Sequence, residues 1–161
     1  MLWLATVLTA SAGAPGTLSG TWVHSGGQAE LTQRDAAVEA TAQTFNFAFR
    51  PIARGALAKT ARLDKTITIS GDAKTVDIVF RGENDRESSG PNDGTPVDVR
   101  GANVTFLVVT DDNMTIDGKT NDGGKKSVYD LTGPNTLVVS HEVTSGRLDG
   151  PMTWSLTYTR Q

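Results

Sequence analysis

Hydrophobic and polar residues alternate along the chain from Lys65 to the C-terminus, and clusters of Gly, Asn, Asp and Pro interrupt the alternation at short intervals. A period of two is typical of strands that bury one face, and the interrupting residues favour turns. The pattern therefore predicts an antiparallel all-β body. Its strands are expected at residues 66–70, 75–81, 95–100, 104–110, 114–119, 126–131, 136–144 and 152–159, with a further short one around 86–89.

The N-terminal part of the chain follows a different period. A short strand at residues 19–24 is followed by residues 28–62, which are rich in Ala and poor in strand-forming residues. Ser25 and Gln28 have capping-box spacing, which predicts a helix start there. Pro51 disfavours a continuous helix and splits the segment near residues 46–51 into a helix pair. Apolar residues recur at helical spacing at Leu31, Val38, Ala42, Phe45, Phe49, Ile52 and Ala56.

Together these elements predict the fold class. Nine or ten strands joined by short connections form an up-and-down meander, which removes its exposed edges by closing into a barrel. The fold is therefore expected to be mainly β, an antiparallel β-barrel with a two-helix lid between strands one and two. A chain of 161 residues and 17.0 kDa is one domain, placed at residues 18–161.

Composition excludes several function classes. The net charge of −3, from 15 basic and 18 acidic residues, lacks the positive field that nucleic-acid binding needs. The absence of cysteine removes disulfides, thiolate metal sites and cysteine nucleophiles. Two histidines cannot build a three-histidine zinc site, so no metal and no cofactor is expected.

The first residues resemble a secretory signal. Residues 1–14 begin with an apolar run and end in small residues with the spacing that signal peptidase accepts, although no Lys or Arg precedes the run. A signal peptide predicts a secreted or periplasmic protein. If the segment is not a signal, the protein is expected in the cytoplasm.

The order of elements resembles that of a known superfamily. Gly20-Thr21-Trp22 at the start of the first strand resembles the signature of the calycins, the lipocalins and the fatty-acid-binding proteins. The helix pair falls between strands one and two, where the fatty-acid-binding proteins carry their two-helix lid. The resemblance covers residues 18–161 and implies a barrel that encloses a hydrophobic ligand. It also implies that Trp22 closes the barrel base, with Arg160 as a cation–π partner.

Two positions depart from that family's ligand site. The family resemblance implies that a ligand carboxylate would be held by an Arg in a late strand and by an Arg-x-Tyr pair in the last strand. Tyr158 matches the Tyr, but Leu156 and Tyr129 stand at the two Arg positions. A buried carboxylate without a cation is costly, so the sequence predicts a neutral, lipid-like ligand.

Strand parity gives candidate ligand-binding residues. The polar side chains Tyr129, His141 and Tyr158 share faces with apolar neighbours, and a buried hydroxyl or imidazole needs a partner in the protein, in water or in a ligand. Each candidate also has the simpler interpretation of packed core. The remaining candidates are the apolar residues Trp154, Leu156 and Phe106 of the barrel and Phe45, Phe49 and Leu57 of the lid.

The sequence thus predicts a non-catalytic, monomeric carrier of a small hydrophobic molecule. Known hydrolase, nucleotide-binding and zinc-protease motifs are absent from the sequence, so no catalytic residue is assigned. Two alternatives stay open: an isomerase or hydrolase that uses Tyr or His groups in the cavity, and a filled barrel that acts through its surface. The lid's basic residues also allow transient contact with an anionic membrane, through Arg50, Arg54, Lys59 and Arg62.

Overall fold

The computed structural model describes residues 15–161 and shows a ten-stranded antiparallel barrel with two helices. Every predicted strand is present, with bounds shifted by at most three residues. The predicted signal segment, residues 1–14, lies outside the described residues and stays a prediction. The strands are β1 (Gly20–His24), β2 (Asp64–Gly71), β3 (Thr75–Gly82), β4 (Arg86–Pro91), β5 (Val97–Val99), β6 (Ala102–Thr110), β7 (Asn113–Thr120), β8 (Gly123–Gly133), β9 (Thr136–Ser145) and β10 (Met152–Arg160).

The strands follow sequence order around the barrel, with β1 paired to β10. The sheet ends are β4 and β5, and the segment that links them reaches across to β6. There the Val108 amide donates to the Asn92 carbonyl over 3.0 Å, and the Gly94 amide donates to the Phe106 carbonyl over 2.9 Å. The barrel is therefore nearly closed, as the meander pattern predicts.

Two helices, α1 (Gly27–Gln43) and α2 (Arg50–Thr60), lie between β1 and β2 and form the lid. Pro51 stands in the first turn of α2, where its missing N–H costs nothing, so the predicted split is confirmed. The predicted capping box is wrong. The residue before α1 is Gly26, which makes no side-chain cap, and the Ser25 hydroxyl instead accepts a hydrogen bond from the Thr159 hydroxyl over 2.8 Å.

The start of α1 is tied to the barrel wall by one carboxylate. Glu30 accepts hydrogen bonds from the backbone amide of Thr157 over 2.7 Å and from its hydroxyl over 2.5 Å. Its carboxylate also lies 3.4 Å from His24 Nε2. A Cβ at Gly26 would come within 1.8 Å of Glu30 Oε2, so only glycine leaves room for this contact.

The barrel interior follows the predicted parity. On β10 the side chains of Met152, Trp154, Leu156 and Tyr158 are buried, while Thr153 and Ser155 are exposed. Alternation along the strands therefore places every second side chain, mostly apolar, in a shared core. The largest fully buried side chains include Trp22, Tyr158, Phe106, Leu18, Ile67 and Met114.

One end of the barrel, here called the closed end, is sealed by Trp22. The indole Nε1 donates to the Leu18 carbonyl over 2.9 Å, and the Arg160 guanidinium lies 4.2 Å from the ring centroid. The predicted cation–π pair is thus confirmed. Gly20, at φ +140°, lets the Arg160 side chain pass, because a Cβ there would lie 2.7 Å from Nη1. Among the described helices, none is both long and apolar enough to span a membrane.

Candidate functional site

The candidate site is a cavity of about 350 Å³ at the other end of the barrel, here called the mouth. The mouth is bordered by the C-terminal end of α2 and by the ends of the β3–β4 and β5–β6 hairpins, where Thr60, Asn84 and Arg100 line the cavity. Its volume is within the range of small-molecule sites, at the small end. Its apolar lining consists of Phe80, Val99, Val104 and Ile116.

The lining carries a marked excess of positive charge. Among the described residues the cavity is lined by one carboxylate, that of Glu87, which is exposed. The cations on the lining are Lys59, Arg62, Arg86, Arg100 and Lys125. Such a concentration of one sign in a concave, partly apolar site focuses the field on whatever enters it.

Lys125 is the cation set deepest into the barrel wall. Its Nζ donates to the carbonyl of Thr60 over 3.1 Å, at the C-terminus of α2, and lies 5.1 Å from the centroid of the Trp154 ring. A helix C-terminus and an aromatic face both attract a cation. Burial and the like charge of Arg86 lower the pKa of Lys125 to about 8. The ammonium therefore remains mainly protonated at neutral pH.

Arg86 is held rigidly beside Lys125. Its two terminal nitrogens donate to the two carboxylate oxygens of Asp64 over 2.6 and 2.8 Å, and its guanidinium carbon lies 3.9 Å from the centroid of the Phe80 ring. The Asp64 side chain is only 6% exposed. A bidentate pair of this kind fixes the plane of the guanidinium and leaves further N–H groups for other acceptors.

A hydroxyl–imidazole pair forms the inner wall of the cavity. Ser127 on β8 and His141 on β9 face each other in register, and Ser127 Oγ lies 2.9 Å from His141 Nδ1. Burial and the charges of Lys125 and Arg86 hold the pKa of His141 well below its ordinary value. The imidazole is neutral at pH 7 and lies against the Trp154 ring, at a centroid distance of 4.8 Å.

Of the nine sequence-predicted ligand residues, Tyr129 and His141 line the cavity. Burial raises the pKa of Tyr129, so its hydroxyl stays protonated. Leu156 and Tyr129 are both register partners of Val139, which brings the two positions of the missing arginines onto one inner surface. The other seven residues lie away from the cavity lining, and their contact with a ligand stays a prediction.

Those seven divide between core and surface. Leu57 of the lid packs in the core, whereas Phe45 is half-buried and Phe49 is 61% exposed. In the barrel Phe106, Trp154, Leu156 and Tyr158 are buried. The Tyr158 hydroxyl finds no hydrogen-bond partner among residues 15–161, and its ring meets that of His24 edge-on at 5.7 Å.

Sequence reasoning missed Lys125, Arg86 and Ser127. A signal for two of them was present, because Lys125, Ser127 and Tyr129 share one parity on β8 and all three line the cavity. The prediction began that strand at residue 126, whereas it begins at Gly123. No group of three or more His, Asp or Glu side chains in the described part of the chain could hold a metal ion.

Comparison with solved structures finds proteins of similar fold. The Schistosoma mansoni fatty acid binding protein in complex with arachidonic acid has a TM-score of 0.58 and 15% identity, over 92% of this chain and 99% of that one. The REP1-NXSQ fatty acid transporter has a TM-score of 0.58 and 14% identity, over 89% and 96%. A mutant of the fluorescent protein UnaG has a TM-score of 0.53 and 15% identity, over 90% and 96%.

No family model matches the sequence, and no curated protein matches it either. At these identities the structural likeness establishes the fold. It confirms the predicted fold, an antiparallel barrel with a helix pair between β1 and β2.

Proposed function

We propose that this protein binds and carries a small hydrophobic, lipid-like molecule in the cavity at the barrel mouth. The observation that carries the proposal is the cavity itself, about 350 Å³ and partly apolar in its lining, at the mouth of a barrel whose core is packed. Two of the similar structures are described as a fatty acid transporter and a fatty acid binding protein, which supports the same class of ligand. A filled barrel acting through its surface is the less favoured interpretation, because the mouth is not filled.

The proposal is tested by asking what the purified protein holds and what it takes up. Native mass spectrometry and solvent extraction would identify a co-purified lipid, and calorimetric titration with 1-octanol would measure uptake of a neutral eight-carbon chain. Binding of one molecule per chain supports the proposal. Absence of both a co-purified molecule and any uptake of eight-carbon alcohol, acid or phosphate would contradict it.

The preference for a neutral ligand, predicted from Leu156 and Tyr129, applies to a polar group that lies deep inside the barrel. The cations around the mouth lead to the opposite expectation for a polar group that stays near Lys125. Titration with 1-octanol and with octanoate at neutral pH separates the two. Tighter binding of the acid would contradict the sequence-based prediction.

A hydrolase is the second candidate, and the Ser127–His141 hydrogen bond favours it. The neighbouring cations oppose it, because they disfavour the imidazolium that a general base must become. The test is hydrolysis of p-nitrophenyl octanoate by the wild-type protein and by Ser127→Ala. A rate above background that is lost in Ser127→Ala would establish an enzyme, whereas carriage predicts no such rate.

We also propose that the lid makes transient contact with membranes. Phe47, Phe49 and Ile52 are 80%, 61% and 70% exposed, next to the basic residues of α2. Sedimentation with anionic vesicles should be weakened in a Phe47→Ser/Phe49→Ser variant, and neutral vesicles should bind less. Equal sedimentation of variant and wild type would contradict the contact.

Export of the protein stays a proposal based on residues 1–14. Expression of the full chain followed by N-terminal sequencing of the exported fraction would test it. Cleavage near residue 14 is expected, and an uncleaved chain confined to the cytoplasm would contradict it.

A further inference from the structure

We propose that the mouth of the barrel is an oxyanion-binding site, built around Lys125 and Arg86, that takes the phosphate head of a short-chain phosphate monoester. This inference rests on the proposed carriage of an amphiphile and adds the chemistry of its head and its orientation. The head would lie at the mouth beside α2, with the chain against the apolar lining.

The balance of charge on the lining is the first argument. Five cations line the cavity. Asp64 neutralises Arg86, and Glu87 forms its ion pair with Arg81, which is not on the lining, so about four positive charges remain for a ligand. A carboxylate supplies one negative charge. A phosphate monoester supplies between one and two at neutral pH and offers three acceptor oxygens, so it matches the site better.

The second argument is the unneutralised state of Lys125. Among residues 15–161 no carboxylate lies within ion-pair distance of its Nζ, and its hydrogen-bond partner is the neutral Thr60 carbonyl. A half-buried ammonium without a counter-charge costs stability. The charged groups that affect the pKa of Lys125 are Arg86 of β4 and Asp64 of β2. The neutral His141 ring of β9 and the Trp154 ring of β10 lie alongside the ammonium. An oxyanion at the mouth would supply the missing charge.

The third argument is that Arg86 is already oriented for such a ligand. Asp64 and the Phe80 ring fix its guanidinium, so little side-chain entropy remains to be lost on binding. Its side chain is 31% exposed and lines the same cavity as Lys125. Two cations of different geometry, one fixed and one flexible, thus face the same space.

Arg100 provides an independent observation at the same mouth. It occupies a left-handed backbone conformation, with φ of 54°, at the β5–β6 turn that it shares with Gly101. Asn and Gly adopt this conformation more readily than Arg. The turn therefore keeps a cation at the cavity where a neutral residue would fit the backbone better.

The test is calorimetric titration of the full chain at pH 7 with octyl phosphate, octanoate, 1-octanol and inorganic phosphate. Octyl phosphate is expected to bind about tenfold more tightly than 1-octanol, with octanoate between them. Lys125→Met and Arg100→Asn should each weaken octyl phosphate by roughly three- to tenfold and leave 1-octanol within about twofold. Arg100→Asn suits the turn, so it keeps the test informative even if Lys125→Met folds poorly.

The matched control is Lys126→Met, which removes the same charge from the next residue of β8, whose side chain is exposed on the outer face. It should leave the affinity for octyl phosphate unchanged. Binding of 1-octanol without any preference for octyl phosphate would overturn the oxyanion site while leaving the proposed carriage intact. An equal loss in Lys126→Met would also overturn it, because net charge alone would then explain the preference. If inorganic phosphate bound as tightly as octyl phosphate, the alkyl chain of the ligand would contribute nothing to binding. That result would overturn the phosphate-monoester site, because the mouth would then bind free anions.

Discussion

The two ends of the barrel are built from the same sheet but differ in the side chains that they bury. At the closed end, Leu18 and Trp22 are fully buried, and Arg160 spreads its guanidinium over the indole at the surface. At the mouth, the same inner face carries Asp64, Arg86 and Lys125 among apolar neighbours. The closed end buries apolar surface, which stabilises the fold, whereas the mouth keeps charges partly out of water, which costs stability.

The difference separates the residues that stabilise the fold from the residues that are available to bind a ligand. Side chains that only support the fold can be replaced by others of similar volume at small cost, whereas an unneutralised cation at the mouth lowers stability and does not support the fold. Stability and ligand affinity should therefore respond separately to substitutions at the two ends.

Breaking the ion pair at the mouth should have the largest effect. Asp64→Asn leaves the Arg86 guanidinium without its buried partner, and the free energy of unfolding should fall by about 3–5 kcal/mol. Denaturant unfolding of the variant measures this. Glu39→Gln, which breaks the exposed pair with Arg54, is the control and should change stability little. Similar effects of the two substitutions would mean that the buried pair does not organise the mouth.

Lys125 should give the mouth a pH dependence that the closed end lacks. Its pKa is about 8 in the folded chain and 10.5 without the fold's influence, so between these values the unfolded chain binds the proton that the folded chain has released. Stability relative to Lys125→Met should therefore rise as pH increases from 8 to 10.5, by up to about 3 kcal/mol. Chemical unfolding of both proteins across that range tests the slope. A flat difference between them would show that Lys125 is solvated.

At the closed end, Trp22→Phe should reduce stability without changing ligand affinity. The substitution removes the indole N–H that satisfies the Leu18 carbonyl and reduces the surface under Arg160. A loss of about 1–3 kcal/mol is expected from the unpaired carbonyl and the cavity. Thermal unfolding and octyl phosphate titration on the same protein check both parts. A parallel loss of affinity would mean that the two ends are coupled.

The smallest effect is expected from Tyr158→Phe. The buried hydroxyl donates to no group in residues 15–161, so its removal should raise the free energy of unfolding by about 1 kcal/mol. Tyr129→Phe, on the cavity lining, is the comparison and should show no such gain. A loss of affinity of about 0.5–1.5 kcal/mol in Tyr158→Phe, with stability unchanged, would instead establish Tyr158 as the ligand contact that the sequence predicts.

The fold could be predicted because its signals are local. The period of two gives the strands and the inward set on β10, and Pro51 divides the lid, because each depends only on residues near in sequence. The pairing of Trp22 with Arg160 came from the family resemblance, since the two residues are far apart in the chain.

The mouth could not be predicted in the same way. Asp64 has the parity of Thr66 and Thr68, so alternation from the buried Ile67 assigns it to the outer face. The register between β2 and β3 shifts between Asp64 and Thr66, and this irregularity lets the carboxylate turn inward to Arg86. Lys125 could not be predicted for a different reason: a lysine in a strand is ordinarily solvated, so its residue type gives no signal of a position on the cavity lining.

The attachment of Glu30 to Thr157 has a consequence for how the lid moves. The first turn of α1 is fixed to β10 by two hydrogen bonds, whereas the end of α2 is held at Lys125 through the Thr60 carbonyl. A ligand head that draws the ammonium toward itself weakens the second attachment and leaves the first intact. Amide hydrogen exchange should then quicken in the last turn of α2 when an anionic ligand binds, while the start of α1 keeps its protection. The end of α2 would thus loosen from the barrel while the start of α1 stays attached to β10.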